Sequence, residues 1–568
     1  MTNNQAIECL EPFVQDTNHF DIELRDGCYY RNNQILTNFC MSQVTALCAP
    51  DDPNSLEAIQ LQAHMSGNVS YPVIVDIRKG SLIPQITTQI SVCRLFVKSA
   101  SSILDAYLLD LAQQNRQCGN SAIYFREGGL HRLWNHKWVM VCGDELIGDC
   151  GDIRVCLPPS AMTLHLAWNP QMKMDEAIER QLLAMKKYTK SVQVAFGFTL
   201  LSALRSAIMK MGFSTFPVLF VQGMQNFGKT VLVTQQCLLF DHKGREKVAA
   251  KLEPISTEIG LITEIGAYRD QVVVVDDMAK SSHTTVERDR LRKMAGLIRY
   301  AANDSERRIA IASKGTVVQE CTAGVALTGE VSFTAASDLS RIILVVLNQP
   351  LRDGDVNARS IAATAYRAWL QWFLSHANEQ FQLLEHACKQ AASVEQARLQ
   401  TTQILLLWVL TSFYQFALER KIIKESYFRS AIQYTDYALK TILEEQKKRI
   451  EKSTQSVPKG NLSWYILHGY HDNAFHIVTR KNIKSNQDCI IEDGALCIRM
   501  SVLKNFLTND TPYKELSQKM IGSRLVQEGA IQSIDMHKEK RSATKKIKGH
   551  RYLEIPFDLL SNTAQTFS

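Results

Sequence analysis

The run PVLFVQGMQNFGKTVLVTQQC, residues 217–237, constrains the fold more than any other stretch of the chain. An apolar strand stops at Gly223, a short polar loop follows, and apolar spacing resumes after Gly228-Lys229-Thr230. Gly223-Met224-Gln225-Asn226-Phe227-Gly228-Lys229-Thr230 fits GxxxxGK[ST], and the chain contains that pattern once. Glycines let the backbone turn tightly, so that its amides point inward at an anion. The next helix starts there, with unpaired N–H groups that favour phosphate. Such a loop needs a strand before it and a helix after it, and both are legible. Lys229 is then placed for β and γ phosphates and Thr230 for a Mg²⁺ ion.

A second element is VVVVDDMAK. Asp276 and Asp277 follow four valines, and a continuous apolar run of that kind reads as a buried strand with its functional groups at the C-terminal end. Asp276 is the candidate for holding magnesium. Asp277 stands where a longer carboxylate would polarise the attacking water, and its side chain is one methylene shorter than glutamate. A third element is GVALTGE, where Thr328 is read either as a group that orients water or meets the γ phosphate, or as a strand-end turn residue. Glu330 is a weaker catalytic candidate. Arginines form a fourth set. Arg341 opens the strand IILVVL and is the first choice for a charge that reaches a neighbouring subunit's γ phosphate. Arg307 and Arg308 could do the same or line a pore, and for each of the three arginines a surface ion pair is the other reading.

Length and composition frame these motifs. With 568 residues the chain is too long for one core, and roughly three or four domains are expected. Hydrophobic content of 45% and charged content of 21% suit a globular protein, and a net charge of +7 permits nucleic acid as a partner without establishing it. The fourteen cysteines include no CxxC pair, so zinc-finger spacing is missing and reduced core cysteines are expected. The N-terminus MTNNQAIECLEPF does not read as a signal peptide, and the expected location is cytoplasmic. LQTTQILLLWVLTSFYQFAL, Leu399 to Leu418, carries no charge; its glutamines, threonines and serine favour a buried helix over a membrane span.

The pattern divides into an N-terminal α+β domain over 1–160, a core over 175–350, a helical subdomain over 356–450, and a last domain over 460–568. In the first, DIELRDGCYY and YPVIVDIRKGS read as strands, and Ser99 to Asn115 as a helix with the stripe Ile103, Leu104, Tyr107, Leu108 and Leu111. Residues 180–350 alternate strands and helices, which predicts a parallel or mixed α/β layer. Val192 to Lys210 reads as one buried helix, and RRIAIAS, CTAGVALTGE and SRIILVVL as three further strands.

The order of these motifs resembles an AAA+ ATPase, a P-loop NTPase fold. It resembles more closely the DUF927 group of helicase-like proteins of mobile genetic elements, with the Cch-type proteins among them and an ATPase core related to MCM helicases. GMQNFGKT, VVVVDDM and ALTGE carry the resemblance over about 180–350, with GLITEIG as a weaker match. The resemblance implies a hexameric homo-oligomeric ring, ATP and Mg²⁺ as cofactors, and movement on single-stranded DNA during replication of the element. It gives Lys229 and Thr230 the Walker A roles, Asp276 and Asp277 the Walker B roles, Thr328 the sensor position and Arg341 the finger. The departure from the pattern is Asp277 in place of glutamate, which bears on the rate of hydrolysis.

HKEKRSATKKIKGHRYLEI, His537 to Ile555, follows helical segments and reads as a basic hairpin and strand, similar to a winged helix. Lys540, Arg541, Lys545, Lys546 and Lys548 are its candidate phosphate contacts; a solvated basic hairpin is the other reading. The leading function is an ATP-dependent DNA helicase or translocase, working with replication partner proteins and no membrane. The alternatives are a nucleotide-switched loader or scaffold that unwinds nothing, and a regulatory ATPase ring with another client.

Overall fold

The computed structural model describes residues 20–565 other than 66–68, 144, 158–163, 243–250, 253–257, 279–283, 304–306, 312–314, 331–332, 334, 352–356, 392–396, 456–460, 486, 509–512, 514–515 and 532–543. Contacts divide the chain into two compact units, 1–333 with 337–446, and 334–336 with 447–568.

The first unit opens on a five-stranded sheet in the order Val155–Cys156, Ser121–Tyr124, Phe39–Cys48, Leu56–Met65, Val69–Asp76. The first three strands run parallel and the last two complete an antiparallel meander. Alternating burial in Phe39–Cys48 turns Phe39, Met41 and Val44 into one core with Ile59, Leu61, Val73 and Val75. Helices Leu82–Gln89 and Ser101–Gln117 cover that core through Ile83, Ile86, Leu104 and Leu108, while Ile103, Tyr107 and Leu111 pack partly buried beside it. The expected Asp26-Gly27 turn joins Glu23–Arg25 to Cys28–Arg31 with both residues at positive φ, 48° and 73°, the geometry a two-residue hairpin favours. A second meander, Gly129–Arg132, Trp138–Cys142 and Glu145–Gly148, follows.

The middle of the unit is a five-stranded, wholly parallel sheet. Its order is the short strand Lys251–Leu252, the valine strand Val272–Met278, the central strand Gly324–Gly329, the loop strand Val218–Gly223 and the edge strand Ile342–Leu347. Nearly every residue of the three inner strands whose side chain is described is buried, as a parallel sheet covered on both faces requires. The central strand lies between the two strands that end in Gly223 and in the aspartate pair. This is what places Thr328 between them.

Two sequence expectations change here. RRIAIAS is a strand, Arg307–Ile311, but it pairs antiparallel with Gly315–Gln319 in a separate two-stranded hairpin. Val192–Lys210 is not one helix: a π-type turn at Thr189–Gln193 leads into Val194–Ser202, and a second helix, Arg205–Lys210, restarts after Leu204 leaves helical geometry at φ −111°. The restarted helix opens on a buried arginine. Arg205 is 1% exposed. Its Nε donates to the Cys321 carbonyl at 3.0 Å and an Nη to the Ala301 carbonyl at 2.6 Å, while its guanidinium lies 4.5 Å from the Phe216 ring centroid. A buried cation that satisfies two carbonyls is tolerated because those carbonyls flank the hairpin-bearing segment and need donors. Arg205→Met should therefore destabilise the fold by about 2–4 kcal/mol, two buried acceptors losing their donors. A fall in the thermal unfolding midpoint checks this, and an unchanged midpoint contradicts it.

Helices Ala358–Ala391, Ala397–Glu419 and Glu425–Gln455 follow. The apolar segment Leu399–Leu418 lies in the second, with Leu405, Val409, Leu410 and Phe413 buried. Leu410 closes on the backbone at Gly197, where an added Cβ would come within 3.0 Å, and Ser412 Oγ accepts from Trp369 Nε1 at 3.1 Å. Among the described residues this is the one helix long and apolar enough to cross a membrane, and most of it is buried inside the protein. The regions read as an N-terminal domain, a core and a helical subdomain gather into this unit. Leu130 N donates to Asp270 Oδ2 at 2.8 Å, Trp138 Nε1 to Asn378 Oδ1 at 3.0 Å, and Arg367 pairs with Glu145.

The second unit holds a four-stranded antiparallel sheet in the order Ile490–Glu492, Ala495–Ile498, His550–Pro556, Thr544–Ile547. Helices Leu462–His471, Met500–Thr508, Gln518–Gln527 and Phe557–Gln565 enclose a core of Leu462, Ile466, Leu496, Leu503, Ile521, Leu553 and Leu560. The basic hairpin turns at Lys548-Gly549, again with both residues at positive φ, 47° and 83°.

Candidate functional site

The loop strand ends at Gly223 on the C-terminal edge of the parallel sheet, where open α/β folds place their ligands. Close packing selects its two glycines. A Cβ on Gly223 would lie 3.1 Å from Leu347 Cβ and 3.2 Å from the Leu347 carbonyl. Gly228 has φ +86° and packs on Leu351, which leaves no unstrained conformation for another residue. Asn226 also turns at positive φ, and the loop is tied by Phe227 N to the Met224 carbonyl and Leu351 N to the Phe227 carbonyl, at 3.3 and 3.2 Å. Helix Lys229–Gln236 starts directly after Gly228. Loop residues Met224, Gln225, Asn226 and Phe227 thus wrap one helix end.

Lys229 is only 8% exposed. Its Nζ donates to the carbonyls of Gly223 and Met224, both at 2.9 Å, and lies 3.9 Å from Glu330 Oε1. Around it a single carboxylate oxygen organises the site. Asp276 Oδ1 accepts the hydroxyl of Thr230 at 2.9 Å and that of Thr328 at 2.6 Å. Thus the lysine loop, the acidic strand end and the TGE strand end meet at one place. The valine strand carries a register shift against the central strand between Val275 and Met278, so its two aspartates occupy a bulge, a device that re-aims a side chain. The side chain of Asp277 lies outside the described residues, as do those of Arg307 and Arg308 on their hairpin strand.

Arg341 is elsewhere. Its carbonyl accepts from Val218 N, at the start of the loop strand, whereas Gly223 pairs with Leu347. That register sets it about 17 Å along the strand from the lysine loop of its own chain. Its Nε donates to Asn303 Oδ1 at 3.2 Å and an Nη to the Ser337 carbonyl, and burial, with Arg398 nearby, pulls its pKa down.

In the second unit Lys545 Nζ lies 2.8 Å from Asp493, 3.1 Å from Glu492 and 3.7 Å from Glu554. These acids hold its pKa well above the usual lysine range, hydrogen bonds to Asp493 and Glu492 being the main cause. Its charge is met by neighbouring strands, which sequence spacing hid because Asp493 is some fifty residues away. Lys546 is exposed on the hairpin, and Lys548 Nζ donates to the Lys481 carbonyl at 3.1 Å. Lys540 and Arg541 lie outside the described residues. Glu330, the weaker candidate in the sequence, lies 3.9 Å from Lys229, a nearness that follows only from the strand order.

No family model and no curated protein matches the chain. Among solved structures, one titled "SCCmec type IV Cch - active helicase" aligns over 96% of this chain and 98% of its own at 12% identity and a TM-score of 0.48. A JCV helicase bound to a phenylacetamide compound aligns over 47% of this chain and 74% of its own at 14% identity and a TM-score of 0.21. The apo A form of the NrS-1 C-terminal region aligns over 71% and 87%, at 11% identity and a TM-score of 0.24.

Proposed function

We propose that this chain is an ATP-driven motor that moves on single-stranded DNA as a cytoplasmic homo-oligomeric ring, in the replication of a mobile genetic element. One observation carries the reading. A buried aspartate oxygen receives hydroxyls from Thr230 and Thr328 beside a lysine-bearing glycine loop at a parallel sheet's C-terminal edge. In this reading the core is a P-loop ATPase of AAA+ type and the second unit a winged-helix-like module.

The donor set suits Mg²⁺-ATP. Thr230 and Asp276 present hard oxygens of the kind Mg²⁺ takes, and the loop presents backbone amides and a helix start to phosphate. Bound Mg²⁺ supplies neutralising charge for the phosphates. The protein's own groups do the rest. Lys229 exchanges two carbonyl partners for phosphate oxygens. Thr328 fixes the orientation of Asp276. Arg341, remote from its own loop, acts on the loop of an adjacent subunit, so turnover requires assembly into a ring. The readout is strand displacement by purified protein with ATP, together with its mass with and without nucleotide. A monomer that displaces no strand contradicts the motor.

The basic hairpin supplies affinity for DNA phosphate. Because Lys545 is occupied by three carboxylates, Lys546 and Lys548 are the outward contacts. Substituting both with alanine should lower the slope of log affinity against log salt by about 1–2 on single-stranded DNA, whereas Lys545→Ala leaves the slope near wild type. The reverse pattern would reassign the contact. A second reading, a nucleotide-switched loader, is favoured by Asp277 in place of glutamate. It predicts tight ATP binding, negligible turnover and no strand displacement.

A further inference from the structure

We propose that Glu330 is the carboxylate that takes the proton from the attacking water. This rests on the nucleotide-hydrolysing reading above and deepens it by naming the base.

The central strand lies between the loop strand and the valine strand, and Gln222 pairs with Gly329, so Glu330 stands level with Gly223 at the sheet's C-terminal edge. Gln222 Nε2 donates to the Glu330 carbonyl at 3.4 Å, which ties this backbone to the start of the phosphate loop. Glu330 lies one residue past the strand's end at Gly329 and two past Thr328. Thr328 bonds Asp276, and Glu330 approaches Lys229, with Oε1 3.9 Å from Nζ. The lysine of such a loop meets the terminal phosphates. That approach sets Glu330 beside the end of the loop where the terminal phosphates of a bound nucleotide would lie. At 21% side-chain exposure Glu330 is shielded but reachable by water. It also has the extra methylene that Asp277 lacks.

Lys229 Nζ donates to two loop carbonyls and faces Glu330. Phosphate draws the ammonium away, and the carboxylate then faces water. The water oxygen bonds to the γ phosphorus, and its proton passes to Glu330. The bond from phosphorus to the β–γ bridging oxygen breaks, and its electron pair leaves with ADP. Glu330 returns the proton to solvent as inorganic phosphate departs.

The test compares Glu330→Gln, Glu330→Asp and Asp277→Asn in the full chain, reading turnover, affinity for a fluorescent ATP analogue, and the nucleotide recovered after acid quench. For Glu330→Gln, turnover should fall by roughly 10²–10⁴-fold with affinity within about threefold of wild type. The nucleotide recovered from it should be ATP, where wild type yields ADP. Glu330→Asp, which keeps the charge but shortens the reach, should recover part of the rate and serves if the glutamine variant does not fold. Near-wild-type turnover in Glu330→Gln with a dead Asp277→Asn overturns the proposal and assigns the base to Asp277. Loss of ATP binding in Glu330→Gln also overturns it, since the residue would then be a binding group. A wild-type protein that binds no ATP overturns the nucleotide reading itself, a result distinct from either.

Discussion

Lys229→Ala is expected to lower ATP turnover by roughly 10²–10³-fold, the usual effect of removing one preorganised charge from a phosphate site. The physical basis is local. The Lys229 ammonium sits on two loop carbonyls, neutral acceptors that a charged phosphate would displace. The alanine variant takes a donor from the Gly223 and Met224 carbonyls, at some cost in stability, but it should keep its fold, because the strand, the two glycines and the helix that shape the loop remain. Fluorescence binding with the ATP analogue checks this: affinity should fall with turnover while the far-UV circular dichroism spectrum is unchanged. A variant that unfolds instead would make Lys229 a structural residue.

Asp276→Asn separates charge from shape at the same centre. The amide oxygen can still accept from Thr230 and Thr328, so the hydroxyl pair stays in place, but the negative charge is gone. Turnover should fall by roughly 10²–10³-fold. The more specific result is in binding. Wild type should bind ATP more tightly when Mg²⁺ is added, and Asp276→Asn should lose that increment. Equal tightening by Mg²⁺ in both proteins would remove Asp276 from the metal site.

Local chemistry was legible in the sequence and cross-strand geometry was not. Gly223 to Thr230, the valine run and TGE announce themselves by composition and order, and the first two place the strand and helix correctly. Nothing in a linear pattern says that the TGE strand inserts between the other two, so the Thr328–Asp276 bond and the approach of Glu330 to Lys229 were hidden. The helix break at Leu204 was also hidden: every residue of Val194–Ser202 is buried, and with no polar face there is no stripe to lose phase. Arg205 looks like a surface cation until the carbonyls of Ala301 and Cys321 are brought to it. Lys545 counts as basic surface by spacing, yet its acids come from a strand turn and a neighbouring strand. Charge in a sequence reports what a residue brings, and only topology reports what meets it.

The measurement that tests the account most directly is ATP hydrolysis by the purified chain, with and without single-stranded DNA, beside Lys229→Ala. The account predicts turnover that rises on adding DNA and disappears in the variant. Tight ATP binding with negligible turnover under both conditions would contradict the motor and leave a nucleotide-operated switch.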